Sequence, residues 1–496
     1  MRSRVILAAL GLLSLILYFG VTEISKQFNW GEGHADRPIP TYVILYLALF
    51  VLYALAAWRV WRAPLDRGAL WIVLLFGLLF RAALLPSQQI QEDDVYRYLW
   101  DGKVFAHGIN PYEYAPDEVH HFKMLQIEDP DEFNRRYNER NVRELGLLYR
   151  LKWENEPAFL TLERVNHSSV PTIYPPLAQH VFRLVSQIKP DSIFAMRLAF
   201  LVFDAAALVF IILILGALGK DRNLCLIYFW SPLLIKETFN STHLDIIGIS
   251  ALCASVYFLV RSRHTLAVFF LALGVLGKLY PVILFPLYLK EMLQKSKEAG
   301  PHIVSRLAPW ANALLFLGVI LIVYLPFLGA PEKTFAGLKA YATYWQKNDS
   351  IFSLLVYFYG DLLGLNAVGD FSIEDMEVYF SYDMATLLSK FTVALALAAV
   401  VLFFSFRRGG AVSPSARVNQ IFIIMALVFL LSPVQNPWYL TWVLPFLCAF
   451  PWRSWILLTG LIGLYYMDFY FIYQEQPQYK SWLPWMEYAP FYLLLA

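Results

Sequence analysis

Apolar runs separated by short polar segments recur along the whole chain. Residues 5–21, 42–58, 70–85, 194–218, 313–327, 385–406 and 455–471 each hold an apolar stretch near the ~17–25 residues that cross a bilayer as a helix. Shorter runs lie at 224–235, 246–260, 421–431 and 438–450. Basic residues say which ends share a side. Arg2 and Arg4, then Arg59, Arg62 and Arg67, Lys220 and Arg222, Arg261 and Arg263, the stretch 290–306, Arg407, Arg408 and Arg417, and Arg453 all belong on the cytoplasmic side. The run 266–289 would be ~36 Å long as one helix, yet basic residues flank it at both ends. It resolves as two short helices broken at Gly277-Lys278-Leu279-Tyr280-Pro281, with Lys278 at the outer turn. Broken helices at membrane depth commonly line a site. The pattern predicts an all-α polytopic membrane protein of about thirteen transmembrane helices, N-terminus inside and C-terminus outside.

From residue 87 to 170 no run is long enough to span, so this is a large outer loop. It opens on Glu92-Asp93-Asp94 and continues as an amphipathic helix, with Asp94, Tyr98 and Asp101 at i, i+4 and i+7 on one face. Gly108 suits the helix end and Asn110-Pro111 forbids continuation. Acids suit the positive end of a helix dipole. These three also repel each other, with only Arg97 in helical reach to offset them, which favours a site over a folding device. Residues 120–164 read as one or two solvated helices, and 177–188 as an interfacial helix after the irregular Tyr174-Pro175-Pro176 step. The chain thus divides into N-terminal spans (1–86), the outer loop (87–190), spans with short paired helices (191–328), a second outer segment (329–383) and C-terminal spans with an outer tail (384–496).

Composition narrows the class. The chain is 58% hydrophobic and only 16% charged, where a soluble protein carries about a quarter charged residues. A net charge of +2 says nothing about nucleic acid, and no nucleic-acid partner is expected. Cys225, Cys253 and Cys448 sit in or beside apolar segments without CxxC spacing, which supports neither a disulfide framework nor a cysteine metal site. No phosphate-binding P-loop and no dinucleotide fingerprint is present.

The predicted topology brings the acidic helix, His243 and Asp245, Lys278, and the Ser432–Tyr439 turn to one outer face. Carboxylates there suit a general base that deprotonates an acceptor hydroxyl. They also repel phosphate, so a lipid-phosphate leaving group needs its own cations, for which Lys278, Lys236, His243 and Arg97 are available. Each has a plainer alternative. The lysines could snorkel, His243 with Asp245 could cap a helix, Arg97 could pair with Asp93, and Trp438 and Tyr439 could be belt aromatics.

Several motifs taken together, Glu92–Gly102, Gly108-Ile109-Asn110-Pro111-Tyr112, Tyr174-Pro175-Pro176-Leu177, Asn240–Asp245, Gly277–Pro281 and Asn436-Pro437-Trp438-Tyr439-Leu440, resemble those of the GT-C superfamily of membrane glycosyltransferases. The resemblance is to bacterial polyprenyl-phosphate-mannose-dependent mannosyltransferases. It implies a GT-C-like bundle with catalysis in the first large outer loop. It further implies an inverting transfer of a hexose, mannose above all, from a polyprenyl-phosphate donor to a lipid or glycan acceptor on the outer side of the bacterial cytoplasmic membrane. Asp94 or Asp93 would be the base. Lys278, His243, Arg97 and Lys236 would hold the donor phosphate. Asp101, Tyr98, Tyr112, Tyr174, Asp245, Trp438 and Tyr439 would bind substrate. The acids are adjacent rather than in a D-x-D spacing, which argues against a metal; no cofactor is expected beyond the lipid-phosphate donor, and a divalent ion stays an open option. A transporter or flippase of a lipid-linked or sugar substrate, and an O-antigen ligase or polymerase, are the alternatives.

Overall fold

The structure is a computed structural model that describes every residue except 1, 29, 32, 63, 301, 330, 367, 374–377, 407–411 and 496, so Arg407 and Arg408 lie outside the described residues. Three long helices, α1 (Arg2–Ser25), α2 (Ile39–Arg62) and α3 (Arg67–Leu84), come first. The loop then holds α4 (Asp94–Ala106), α5 (Pro116–Glu128), α6 (Pro130–Arg136), α7 (Glu139–Lys152), α8 (Glu156–Glu163) and α9 (Pro176–Ile188). Residues 120–164 thus carry more helices than the one or two expected, because Pro130 and Pro157 each restart a helix behind an Asp129 or Asn155 cap.

The bundle continues with α10 (Ile193–Ala217), α11 (Leu226–Phe229), α12 (Pro232–Phe239), α13 (Asp245–Val260), α14 (His264–Gly277), α15 (Phe285–Glu298) and α16 (Ile303–Tyr324). After α17 (Pro331–Thr334), α18 (Ala336–Tyr344) and α19 (Ile351–Tyr357) comes an antiparallel hairpin, β1 (Val368–Ile373) with β2 (Val378–Asp383), in an otherwise helical chain. The chain closes with α20 (Met384–Phe406), α21 (Pro414–Leu431), α22 (Pro437–Leu440), α23 (Leu444–Leu447), α24 (Arg453–Leu461), α25 (Met467–Tyr473) and α26 (Leu483–Leu495).

Among the described residues, 8 helical segments are long and apolar enough to cross a membrane: α1, α2, α3, α10, α16, α20, α21 and the run Arg453–Tyr473. The expected count of about thirteen is not reached by that measure. The remaining apolar runs are shorter helices, several of them restarted at prolines such as Pro232, Pro437 and Pro445, and most are enclosed by the bundle. The break anticipated at Gly277–Pro281 is present: α14 ends at Gly277, Lys278 is extended (φ −160°, ψ 136°), and a 3-10 turn runs over Tyr280–Leu284. Gly277 makes this possible by close approach, since a Cβ there would lie 2.9 Å from the Gly248 backbone on α13.

Peripheral spans such as α16 and α20 keep Leu314, Leu321, Phe391 and Phe403 exposed, the surface a lipid-facing helix requires. Inside, α13 is almost wholly buried. The amphipathic helix lies where the sequence put it, from Asp93 as N-cap to Gly108 at φ 79°. It packs tightly on α9, where a Cβ on Gly102 would meet the Phe182 carbonyl oxygen at 2.4 Å.

Candidate active site

Asp94 is the first residue of α4, and its position is set from below. Asn240, in the turn before α13, accepts from the Ile90 amide (3.0 Å) and donates to Ser87 Oγ (2.9 Å) and Gln88 O (2.6 Å). Arg197 of α10 ties the same turn to the end of α3 through Thr242 Oγ1 (3.0 Å), Leu85 O (2.8 Å) and Ser87 O (2.6 Å). Two non-glycine residues in this clamp, Gln91 (φ 71°) and Thr242 (φ 63°), have left-handed backbone. Such strain persists only where the surroundings enforce it. The clamp delivers His243 beneath Asp94.

Above lies a cleft of about 660 Å³. Of the residues singled out from the sequence, Asp93, Asp94, Arg97, Tyr174, Lys278, Trp438 and Tyr439 line it. Four distant motifs therefore meet at one end of the bundle. Asp94 accepts from Asn166 Nδ2 at 2.7 Å, and its other oxygen lies 3.6 Å from His243 Nδ1. Lys278 is oriented by Asp245 at 3.2 Å, which also accepts from Trp442 Nε1 at 2.7 Å, and the ammonium sits 4.7 Å from the Tyr439 ring centre. The Tyr439 hydroxyl is 2.8 Å from that of Tyr341.

Six expected contacts do not reach the cleft wall. His243 is buried under Trp438, stacked at 3.8 Å, with Nε2 3.4 Å from Glu237 Oε2. Lys236 is buried against Glu237 and the Tyr466 hydroxyl. Both side chains thus face Glu237 behind the site, because α12 and the turn after it point inward there. Asp101 accepts from Gln179 at 3.0 Å and Tyr98 stacks on Phe182 at 4.7 Å, both within the α4–α9 contact, while Tyr112 donates to the Tyr174 carbonyl at 2.5 Å and packs on Phe327. Asp245 serves through Lys278 rather than directly.

Arg97 lines the cleft but does not hold Asp93. It donates to the carbonyls of Val170 (3.1 Å), Asn166 (3.3 Å) and His167 (2.8 Å), fixing the loop that carries Asn166. Asp93 is instead paired with Arg164 at 2.6 Å. Asn166, His167, Tyr341, Trp345, Lys347 and Tyr465 also line the cleft and were not anticipated. Lys347 pairs with Asp468. No spacing signals these residues, since each lies far along the chain from α4.

The three adjacent acids are separated by their surroundings. Burial raises Glu92 well above the usual carboxylate range, only partly offset by Lys236. Burial also raises Asp93, against the charge and hydrogen bond of Arg164. For Asp94 burial acts in the same direction, but the His243 imidazole, the Asn166 amide and Lys278 together outweigh it and hold the group at about 2. Asp94 is therefore the one of the three whose surroundings favour the ionised form over the neutral one, the condition a proton acceptor needs.

Two family models of known proteins match parts of the chain. The family model described as alpha-(1->6)-mannopyranosyltransferase, N-terminal domain, matches residues 163–293, and that described as MptB C-terminal domain matches residues 383–478. The first stretch carries Asn166, Tyr174 and Lys278, the second Trp438 and Tyr439, while α4 with Asp94 lies outside both. No curated protein and no solved structure matched.

Proposed function

From a chain that resembles polyprenyl-phosphate-mannose-dependent mannosyltransferases of the GT-C type, supported by two matches to mannosyltransferase family models, we propose a specific reaction. The protein transfers one mannosyl residue from a polyprenyl-phosphate donor to a hydroxyl of a glycan acceptor, at the outer end of the bundle. The observation that carries this is the convergence of an ionised Asp94 and a tethered Lys278 in one cleft beside Trp438 and Tyr439.

In this reading Asp94 accepts the proton of the acceptor hydroxyl as its oxygen attacks the anomeric carbon. The bond from that carbon to the phosphate oxygen breaks, and its electron pair leaves on the lipid phosphate. Lys278 and Lys347, each positioned by a carboxylate, are the cations placed to hold the growing negative charge. A single displacement inverts the anomeric centre, so an α-(1→6) product, the linkage in the family description, requires a β-linked donor. An Asp held at about 2 is by itself a weak base. Anionic donor phosphate competes for Lys278 and so restores basicity only when substrate is present. Transport would favour charges at the bilayer midplane, whereas these gather at one end.

The test is single-turnover transfer and donor affinity measured side by side for Asp94→Asn and Asp93→Asn. General-base loss of ~10²- to 10⁴-fold is expected for Asp94→Asn, with donor binding intact. Near-normal transfer in that variant with a dead Asp93→Asn moves the base by one residue, and activity in both removes α4 from the chemistry.

A further inference from the structure

A second cavity of about 460 Å³ lies across the Asp93–Arg164 pair from the cleft. Phe28 and Trp30 after α1, Gln88 and Gln89 after α3, Tyr96 of α4, and Arg164 after α8 line it. The Arg164 guanidinium forms the dividing wall. It donates to Asp93 at 2.6 Å, lies 4.1 Å from the Tyr96 ring centre and 5.8 Å from that of Trp30. Its Nε is buried without a hydrogen-bond partner. Gln89 is buried, with Oε1 3.5 Å from the Tyr96 hydroxyl.

The chemistry of this lining is specific. Aromatic rings with flanking amides suit a ligand that has an apolar C–H face and a rim of hydroxyls. Arg164 is the sole cation among the described residues of the wall, and Asp93 already neutralises it, so an anionic ligand gains little. The volume falls in the ~300–1,000 Å³ range of small-molecule sites. We infer that this cavity is a subsite for a neutral pyranose of the acceptor, distant from the attacked hydroxyl, with the Arg164–Asp93 pair between the two sugars. The inference rests on the transferase reading and adds to it the place in the fold where a second acceptor sugar is held.

The experiment uses the full-length protein in detergent, with α-(1→6)-linked mannotriose and methyl α-mannoside as probes. Trp30→Ala and Gln88→Ala change two exposed side chains outside the catalytic cleft, so folding is preserved. Binding is read without turnover, by saturation-transfer NMR of the free sugars. The same variants are then assayed for transfer. The expected result is a roughly tenfold or greater loss of mannotriose binding and a matching rise in its KM, of the size of one stacked aromatic with its hydrogen bonds. Donor KM and transfer to methyl α-mannoside stay as in wild type. Unchanged mannotriose binding and KM in both variants overturns the subsite, even with transfer intact. Lost binding in a wild-type background that transfers no mannose supports the sugar subsite and overturns the transferase reading instead.

Discussion

Two carboxylate centres in this protein use the same residue types to opposite ends. Asp204 of α10 and Arg81 of α3 form a pair with both side chains fully buried, Oδ2 to Nε at 2.5 Å. The pair is held further by its neighbours: Arg81 donates to the carbonyls of Gly77 and Phe229, both at 2.8 Å, and Tyr228 donates to Asp204 at 2.8 Å. Asp94 is also surrounded by a cation, a histidine and an amide, yet 19% of its side chain is exposed and its histidine contact is 3.6 Å, longer than a hydrogen bond. Behind it, His243 Nε2 and Glu237 Oε2 face each other without a bond. The closed centre can only hold helices together. The open one retains capacity for a substrate and a proton.

The largest effect that would break this contrast is on folding. Asp204→Ala leaves Arg81 charged and unpaired inside the bundle, a loss of ~3–5 kcal/mol by the behaviour of broken buried pairs. The thermal unfolding midpoint in detergent should fall steeply, whereas Asp94→Asn should leave it nearly unchanged; equal midpoints would show the two centres to be alike. Next in size, Lys278→Ala removes a charge-assisted phosphate contact worth ~1.5–3 kcal/mol, so donor affinity should fall roughly 10- to 150-fold. Unaltered donor binding would make Lys278 a partner of Asp245 alone.

A pH profile sharpens the comparison further. His243 is the strongest of the influences that depress Asp94, so His243→Gln should raise that group and move the acid limb of kcat/KM to higher pH. Wild type should stay flat from neutrality down to about pH 4, since the group is held at about 2. A limb that does not move would take His243 out of the site. The smallest change comes from Asn166→Ala, which deletes one 2.7 Å hydrogen bond to Asp94 and should lower turnover about threefold to tenfold without altering donor affinity.

Much of the frame was legible because it follows local rules. Helix α4, its start at the acids and its stop at Gly108, and the break at Lys278 all follow from helical spacing, proline and basic flanks. The expectation that Asp94, Lys278, Trp438 and Tyr439 share one end of the bundle matches their common place in the cleft wall. What spacing could not give is which way a polar residue turns inside a closed bundle. His243 and Lys236 look like free cations in the sequence but face the buried Glu237. Arg164 rather than Arg97 holds Asp93 because α8 folds back over α4, a long-range packing event no local pattern encodes. Short helices such as α11 and α22 were counted as parts of spans since hydropathy does not register their proline breaks.

The most direct test of the account follows the sugar itself. Purified protein in liposomes is given β-linked polyprenyl-phosphate mannose, ¹³C-labelled at the anomeric carbon, and α-(1→6)-linked mannobiose. NMR then reads the anomeric coupling of the product while released polyprenyl phosphate is quantified. An α-linked product formed in equal amount with polyprenyl phosphate, and lost in Asp94→Asn, is the predicted result; a β-linked product, or transfer that survives in Asp94→Asn, would contradict it.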